Sequence, residues 1–493
     1  MASLSNKAGM LVVANLLKYG VGFILPMLLV RLLTPQEYGT YRQLTLVTSI
    51  VSALLLLGLP LSIYYFDAHD KPARRTALQV QTSVMLGLLG ILGALVLLVG
   101  QKAISAMVHN PAIAGLIPAV AASSALMMGS EGFIAFLIVA DRYRLALSFE
   151  VVETIVRVAL MVVPLMLGYG LPGLVLSLLA YAVLRYGARL VTLYVSRSRD
   201  AAGWRRSLFP REQLRYSLPL AATSWVGIGA GMLDRTIIAL FFSTVDYAIY
   251  SVGALEIPLD VIFQASVANV LRATLPRLIR EGNELEIRRL LRESVRKLAL
   301  IVLPSFVFLW SFAQEFITVL FTHRYEQSVH VFRIYLLLLP PYMFVLSAVP
   351  QAYGETRINF RIASIGSATH AVLSFVLLKL IGFYGPAISG VACSYLSAAL
   401  YVPANLRLTR SRLHDLVPFA ALLRTMLACV CAAVVSRSVG HPFASDLVGL
   451  VASGLVFSTA YLVAALVFGV LTKSDQRLLW QTMTRVFARA RTS

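Results

Sequence analysis

The 493-residue chain is 58% hydrophobic and 13% charged, with a mean hydropathy of +0.79 and a formal net charge of +20. Apolar runs of roughly 18 residues or more recur along its whole length, each long enough to cross a hydrocarbon core as a helix, which excludes an ordinary soluble domain. The basic excess lies between those runs, so it reports membrane topology and not nucleic-acid binding.

In chain order, spans are expected at about 7–31, 41–66, 77–100, 115–140, 147–168, 171–195, 216–241, 246–271, 298–321, 329–352, 360–381, 385–407, 419–439 and 445–471. The first is too long for a secretory signal and lacks a cleavage site. With the N-terminus inside, the inner segments hold about thirty Lys and Arg, against four outside: Arg31, Arg42, Lys102 and Arg324. Both termini are therefore expected in the cytoplasm of a bacterial inner-membrane protein. The longest loops, 196–215 and 272–297, are basic and cytoplasmic. The second, RLIREGNELEIRRLLRESVRK, has helical spacing and is expected along the membrane surface, as is the tail, with Leu479, Met483 and Val486 on one face. The outer loops are too short for a catalytic domain, which argues against an enzyme. Cys393, Cys429 and Cys431 fall in apolar runs without metal-ligand spacing, and no GxxxxGK[ST] sequence is present, so neither a metal, a cofactor nor nucleotide hydrolysis is expected.

The chain reads as a duplicated unit. Glu37-Tyr38-Gly39-Thr40-Tyr41 after the first span matches Asp246-Tyr247-Ala248-Ile249-Tyr250 after the seventh, at an offset of 209. Gly168, Pro172 and Tyr181 match Gly382, Pro386 and Tyr395 at an offset of 214. The expected fold is thus an all-α integral membrane protein of about fourteen helices, with two pseudo-symmetric six-helix bundles and two added C-terminal helices. The expected division is an N-lobe over 1–195, a basic linker over 196–215, a C-lobe over 216–407, two further spans within 408–472 and an amphipathic tail over 473–493. Parallel repeats place a substrate path between the halves.

The phrases RLLTPQEYGTYRQL, LLLGLPLSIYYF and LDRTIIALFFSTVDYAIYSVGA resemble the Wzx-type polysaccharide and O-antigen flippases, in the superfamily (MOP) that also holds the MATE exporters and MurJ. The resemblance implies two lobes around a central cavity, alternating access, and a polyprenyl-pyrophosphate-linked oligosaccharide as cargo. It also implies that the last two helices serve the lipid tail. Expected partners are that substrate, membrane lipids, a coupling proton or sodium ion, and the polymerase and glycosyltransferases of the pathway.

Charges within spans each need a reason, since one at the bilayer centre costs about 2.5–3.5 kcal/mol on insertion scales. Lys18 sits midway along the first span, on a face shared with Asn15, Gly22 and Pro26. It is the foremost candidate for an anionic head group, joined by Arg157, Arg185 and Arg235. Glu153 stands four residues before Arg157, so it forms either an intrahelical pair or an orienting contact for a cavity-facing Arg157. Glu131, Asp234, Glu256 and Asp260 complete the gate or ion-coupling candidates. Glu256, Asp260 and Gln264 read as one polar stripe, serving a gate, an ion site or a structural network between lobes. The competing function is a MATE-type cation-coupled exporter, which calls for acids where Lys18 offers a base. A membrane glycosyltransferase and a scaffold for the biosynthetic complex fit less well.

Overall fold

In the computed structural model the described residues are 19–67, 72–196, 208–440 and 447–471, and all regular structure among them is helical. Seven of these helices are long and apolar enough to cross a membrane, and nine do so if each of two bent pairs counts as one span. The chain clusters into two compact units, Met1–Pro258 with Ala363–Gly390, and Leu259–Ile362 with Val391–Ser493.

Unit one begins with α1 (Tyr19–Leu32) and α2 (Pro35–Leu55). The start of α2 is fixed by a capping box. The Thr34 hydroxyl accepts from the Glu37 backbone N–H, the Glu37 carboxylate accepts from the Thr34 N–H, and Pro35 fills the first turn. The helix therefore starts well before residue 41. It breaks at Gly58, whose φ of +67° carries the chain into α3 (Leu59–Asp67) at a 41° bend. Next come α4 (Pro72–Met107), α5 (Ala112–Ser130), α6 (Phe133–Val139), α7 (Tyr143–Met166) and α8 (Gly170–Ser196). Gly132, left-handed at φ +79°, divides α5 from α6 within the expected fourth span. Then α9 (Pro210–Phe241) is bent by 53° at Gly229–Gly231, and α10 (Thr244–Gly253) follows. Glycine supplies neither side-chain packing nor helix propensity, and paired glycines are a common cause of such bends.

The α10 start repeats the α2 start. Ser243 and Asp246 form a second capping box, and the two helices meet at their N-terminal turns. A Cβ on Gly39 would lie 2.1 Å from the Thr244 carbonyl oxygen, so only glycine permits this approach. The other repeated pair agrees at backbone level too, with Gly168 at φ +83° and Gly382 at φ +72°. Beside the caps, buried Asn110 donates to Thr40 and Gln43, each at 2.8 Å, and Gln43 donates to the Val108 carbonyl. At the basic end of the unit, Gln213 donates to Ser62 and Thr82 and accepts from Gln81 at 2.7 Å. Tyr65 and Tyr216 stack alongside, their centroids 4.1 Å apart.

Unit two opens with a helical hairpin. Here α11 (Pro258–Arg280) turns at Gly282 (φ +66°) into α12 (Glu284–Ser311). The segment 272–297 is thus no separate surface helix. Buried Ile287, Leu291, Val295, Leu298 and Val302 hold one helical face straight into the apolar run, so the pattern propagates as a single helix. Leu271, Leu275 and Leu278 pack against Ile287 and Leu291. Likewise 246–271 is not one span: α10 ends at Gly253 and α11 starts at Pro258, because proline withholds a backbone donor and restricts Ile257 before it. Glu256 falls in that gap and shares no helix with Asp260 and Gln264, so the expected stripe is broken. The expected span 329–352 is likewise interrupted, as α14 (Ser328–Leu336), α15 (Leu339–Tyr342) and α16 (Ala348–Ala352), preceded by α13 (Ala313–Phe321). After α17 (Thr356–Ile381) and α18 (Gly385–Leu408), the short α19 (Leu413–Leu416) is held by Arg288 on the Arg410 carbonyl and Arg292 on that of His414. Finally α20 (Phe419–Gly440) and α21 (Leu447–Val467) pack as a pair against α12.

Candidate functional site

Unit one encloses a cavity of about 260 Å3 between α1, α2, α6, α7 and α8. Three helices line it with residues at the i, i+3, i+4, i+7 positions of a single face. On α7 these are Glu150, Glu153, Thr154 and Arg157; on α2 they are Tyr38, Tyr41, Arg42 and Thr45; on α1, Gly22, Leu25, Pro26 and Leu29. Tyr181 and Arg185, four apart on α8, close the wall.

Glu153 is the hub. It accepts from the Tyr181 hydroxyl at 2.5 Å and pairs with the Arg185 Nε at 3.0 Å. Glu131, the residue that ends α5, reaches Arg185 at 3.7 Å. The ion pair of Glu153 is therefore interhelical, with Arg185, and not the intrahelical one with Arg157 that its spacing allows. Arg157 lines the cavity and has no ion pair among the described residues. Arg42 lies two turns inside α2, not in an outer loop, and its buried Nε makes no hydrogen bond among the described residues. Its neighbours include Tyr38, Tyr41 and Tyr247. The cavity wall so carries three guanidinium groups and two carboxylates, one of the latter committed to Arg185. A guanidinium presents planar, forked donors that match phosphate and carboxylate oxygens in pairs.

A second cluster, around Arg235, lies near Tyr38 and Tyr247. Arg235 caps the end of α10 by donating to the Ala254 carbonyl at 3.2 Å, and approaches Glu256 at 4.0 Å. Asp234 is buried; it accepts from the Arg235 backbone N–H at 2.8 Å and from the Tyr250 hydroxyl at 3.3 Å, within electrostatic reach of His370. Of the candidates read from sequence, Arg157, Arg185 and Glu153 thus line one cavity, Glu131 joins them through Arg185, and Asp234, Arg235 and Glu256 form the second cluster. Lys18 and the side chain of Asp260 lie outside the described residues. Sequence reading missed Arg42 and Tyr41, although Thr34-Pro35-Gln36-Glu37 is a legible helix start that places both on the first turns of α2.

The family described as polysaccharide biosynthesis protein matches residues 28–330. The chain belongs to that family. Among curated protein sequences none matches significantly. Among solved structures, the chain is similar to the lipid II flippase MurJ in an inward closed conformation, with a TM-score of 0.68 at 13% identity over 92% of this chain and 98% of that one. A multidrug resistance MATE family transporter of the MOP superfamily, inward-facing, gives a TM-score of 0.64 at 15% identity over 80% and 95%. A MOP superfamily transporter from Pyrococcus furiosus, described by the reversed polarity of its binding pocket, gives 0.56 at 14% identity over 82% and 96%. At these identities the likeness is one of fold. This member of the family is therefore a multi-pass membrane protein with the MurJ and MATE transporter fold.

Proposed function

We propose that the chain is a flippase that carries a polyprenyl-pyrophosphate-linked oligosaccharide from the inner to the outer leaflet of the cytoplasmic membrane by alternating access. The observation that carries this reading is the unit-one cavity, where two lining guanidiniums, Arg42 and Arg157, have no ion pair among the described residues and meet one such carboxylate, Glu150, while Arg185 is taken up by Glu153 and Glu131. A small cationic cargo, as for a MATE-type exporter, would call for the opposite balance. Arg42 and Arg157 would take the pyrophosphate oxygens, with Arg185 held in place by Glu153 and Glu131. Lys18 belongs to the same proposal, because it precedes the cavity-lining Gly22 by four residues in sequence. Arg235 would stand behind this wall, with Asp234, Glu256 and Asp260 as gate or coupling groups for a proton or sodium ion.

The duplicated capping boxes of α2 and α10 support two related lobes, 1–195 and 216–407, and the distribution of Lys and Arg supports both termini in the cytoplasm. An apolar groove along α20 and α21, lined by Val435, Leu455, Val463 and Phe468, suits the polyprenyl tail. Export of two negative charges runs with the membrane potential, at about 2.3 kcal/mol per charge per 100 mV. The test is reconstitution into liposomes with a fluorescent polyprenyl-pyrophosphate oligosaccharide, scored for movement between leaflets. Wild type should move it, an imposed potential should speed it, and Arg157→Gln should slow it at least tenfold. Transport of a cationic dye without movement of the lipid would replace this reading with the exporter.

A further inference from the structure

Unit two contains a cavity of its own, of about 500 Å3, within the range of about 300–1,000 Å3 usual for small-ligand sites. One wall is the interrupted stretch between α14 and α16, where Pro340 and Pro341 prevent a continuous helix. Backbone freed at membrane depth must find partners, and three side-chain amides from other helices supply them. Gln264 of α11 donates to the Tyr342 carbonyl at 3.0 Å, Asn405 of α18 to that of Leu346 at 3.0 Å, and Asn359 of α17 to that of Ser347 at 3.2 Å. The break is thereby held open from three sides. Tyr342, Leu346 and Ser347 all line the cavity.

Capping the carbonyls accounts for the amides but not for the rest of the lining. Ser394, Ser397 and Tyr401 stand on one face of α18, and Ala398 between them leaves room. Arg272 enters from the end of α11 that carries the basic loop; its described bond is to Asn269 at 3.1 Å, and it forms no ion pair among the described residues. Among the described residues of the lining there is no carboxylate. Hydroxyls, the Gln264 amide oxygen, two tyrosine rings and one guanidinium, set among Ala265, Ala268, Pro341, Val345 and Leu346, make a surface for a polyhydroxylated ligand bearing a negative charge and not for a cation.

We propose that this unit-two cavity is a saccharide subsite, in which Gln264, Ser394, Ser397 and Tyr401 meet sugar hydroxyls and Arg272 meets the carboxylate of an acidic sugar. The inference rests on the flippase reading and adds where the glycan, as distinct from the pyrophosphate, is recognised. Broken spans that present backbone and polar side chains to a cavity are a recurrent way for transporters to build such sites.

The test uses the detergent-purified full chain titrated with two probes, undecaprenyl pyrophosphate and the same lipid carrying a uronic-acid-containing oligosaccharide. Wild type should bind the glycan-bearing probe more tightly. Arg272→Gln should weaken that probe by about tenfold, as expected for a lost charge-assisted hydrogen bond, and leave the bare lipid unchanged. Ser397→Leu, which fills the cavity without touching a charge, should do the same. An equal loss for both probes in Arg272→Gln would mean that this arginine holds phosphate, and would overturn the subsite. Unchanged binding of both probes in both variants would also overturn it, with the flippase reading intact. Wild type that binds neither probe would overturn the flippase reading itself.

Discussion

Gly39→Ala is the smallest change that tests the contact between the repeated helix starts. The added Cβ would sit 2.1 Å from the Thr244 carbonyl oxygen, while ordinary contact begins near 3.4 Å, so α2 and α10 must part by about 1.3 Å. The obstacle is backbone, which cannot swing aside as a flexible side chain would. Overpacking of this kind costs about 1–3 kcal/mol. The same shift stretches the bond from the Thr244 hydroxyl to the Gln43 amide oxygen, already 3.5 Å long and worth about 0.5–1.5 kcal/mol. The combined loss is on the order of 1.5–4.5 kcal/mol. Thermal unfolding of the detergent-purified protein measures it, with Gly187→Ala as control, since a Cβ there meets nothing within 4 Å. Gly39→Ala should melt clearly below both wild type and control. Coincident melting of all three would refute the claim that Gly39 sets the spacing of these helices.

Two further changes bear on the polar interior of unit one. Gln213→Leu strips partners from buried Ser62, Thr82 and Gln81 at once, and should destabilise by about 1–3 kcal/mol for each group left unpaired, read as a lowered unfolding temperature. Glu153→Gln keeps the shape of the side chain but removes the charge that holds Arg185. It should leave folding nearly intact, raise retention of a pyrophosphate lipid in equilibrium binding, and slow its release.

The fold class was legible because hydrophobic run length and the distribution of Lys and Arg are one-dimensional signals. The match of Glu37–Tyr41 with Asp246–Tyr250 was legible for the same reason, and both segments begin at capping boxes, those of α2 and α10. What stayed hidden was tertiary. The spacing of Glu153 and Arg157 permits an intrahelical pair, but only the packing of α7 on α8 brings Arg185 to 3.0 Å and decides the matter. Glu256 was assigned to a continuous stripe although Pro258 stands two residues later, and the proline prevailed over hydrophobic periodicity. Pro340-Pro341 carried the same warning for the span that now walls the unit-two cavity. Arg42 was misplaced by starting its helix at the first apolar run instead of at the Thr34 cap.

The two capping boxes also settle an electrostatic difficulty. A helix behaves as though about half a positive charge sat at its N-terminus, and α2 and α10 bring two such ends into direct contact. Like poles at that distance would push the helices apart. Glu37 and Asp246 each place a carboxylate on the positive end of their own helix, so the neutralisation is built into each copy of the motif before the copies meet. A duplicated sequence that carries its own counter-charge can pack against its twin without further adjustment, and this gives the acidic residue of each motif a role at the contact that does not depend on the cargo.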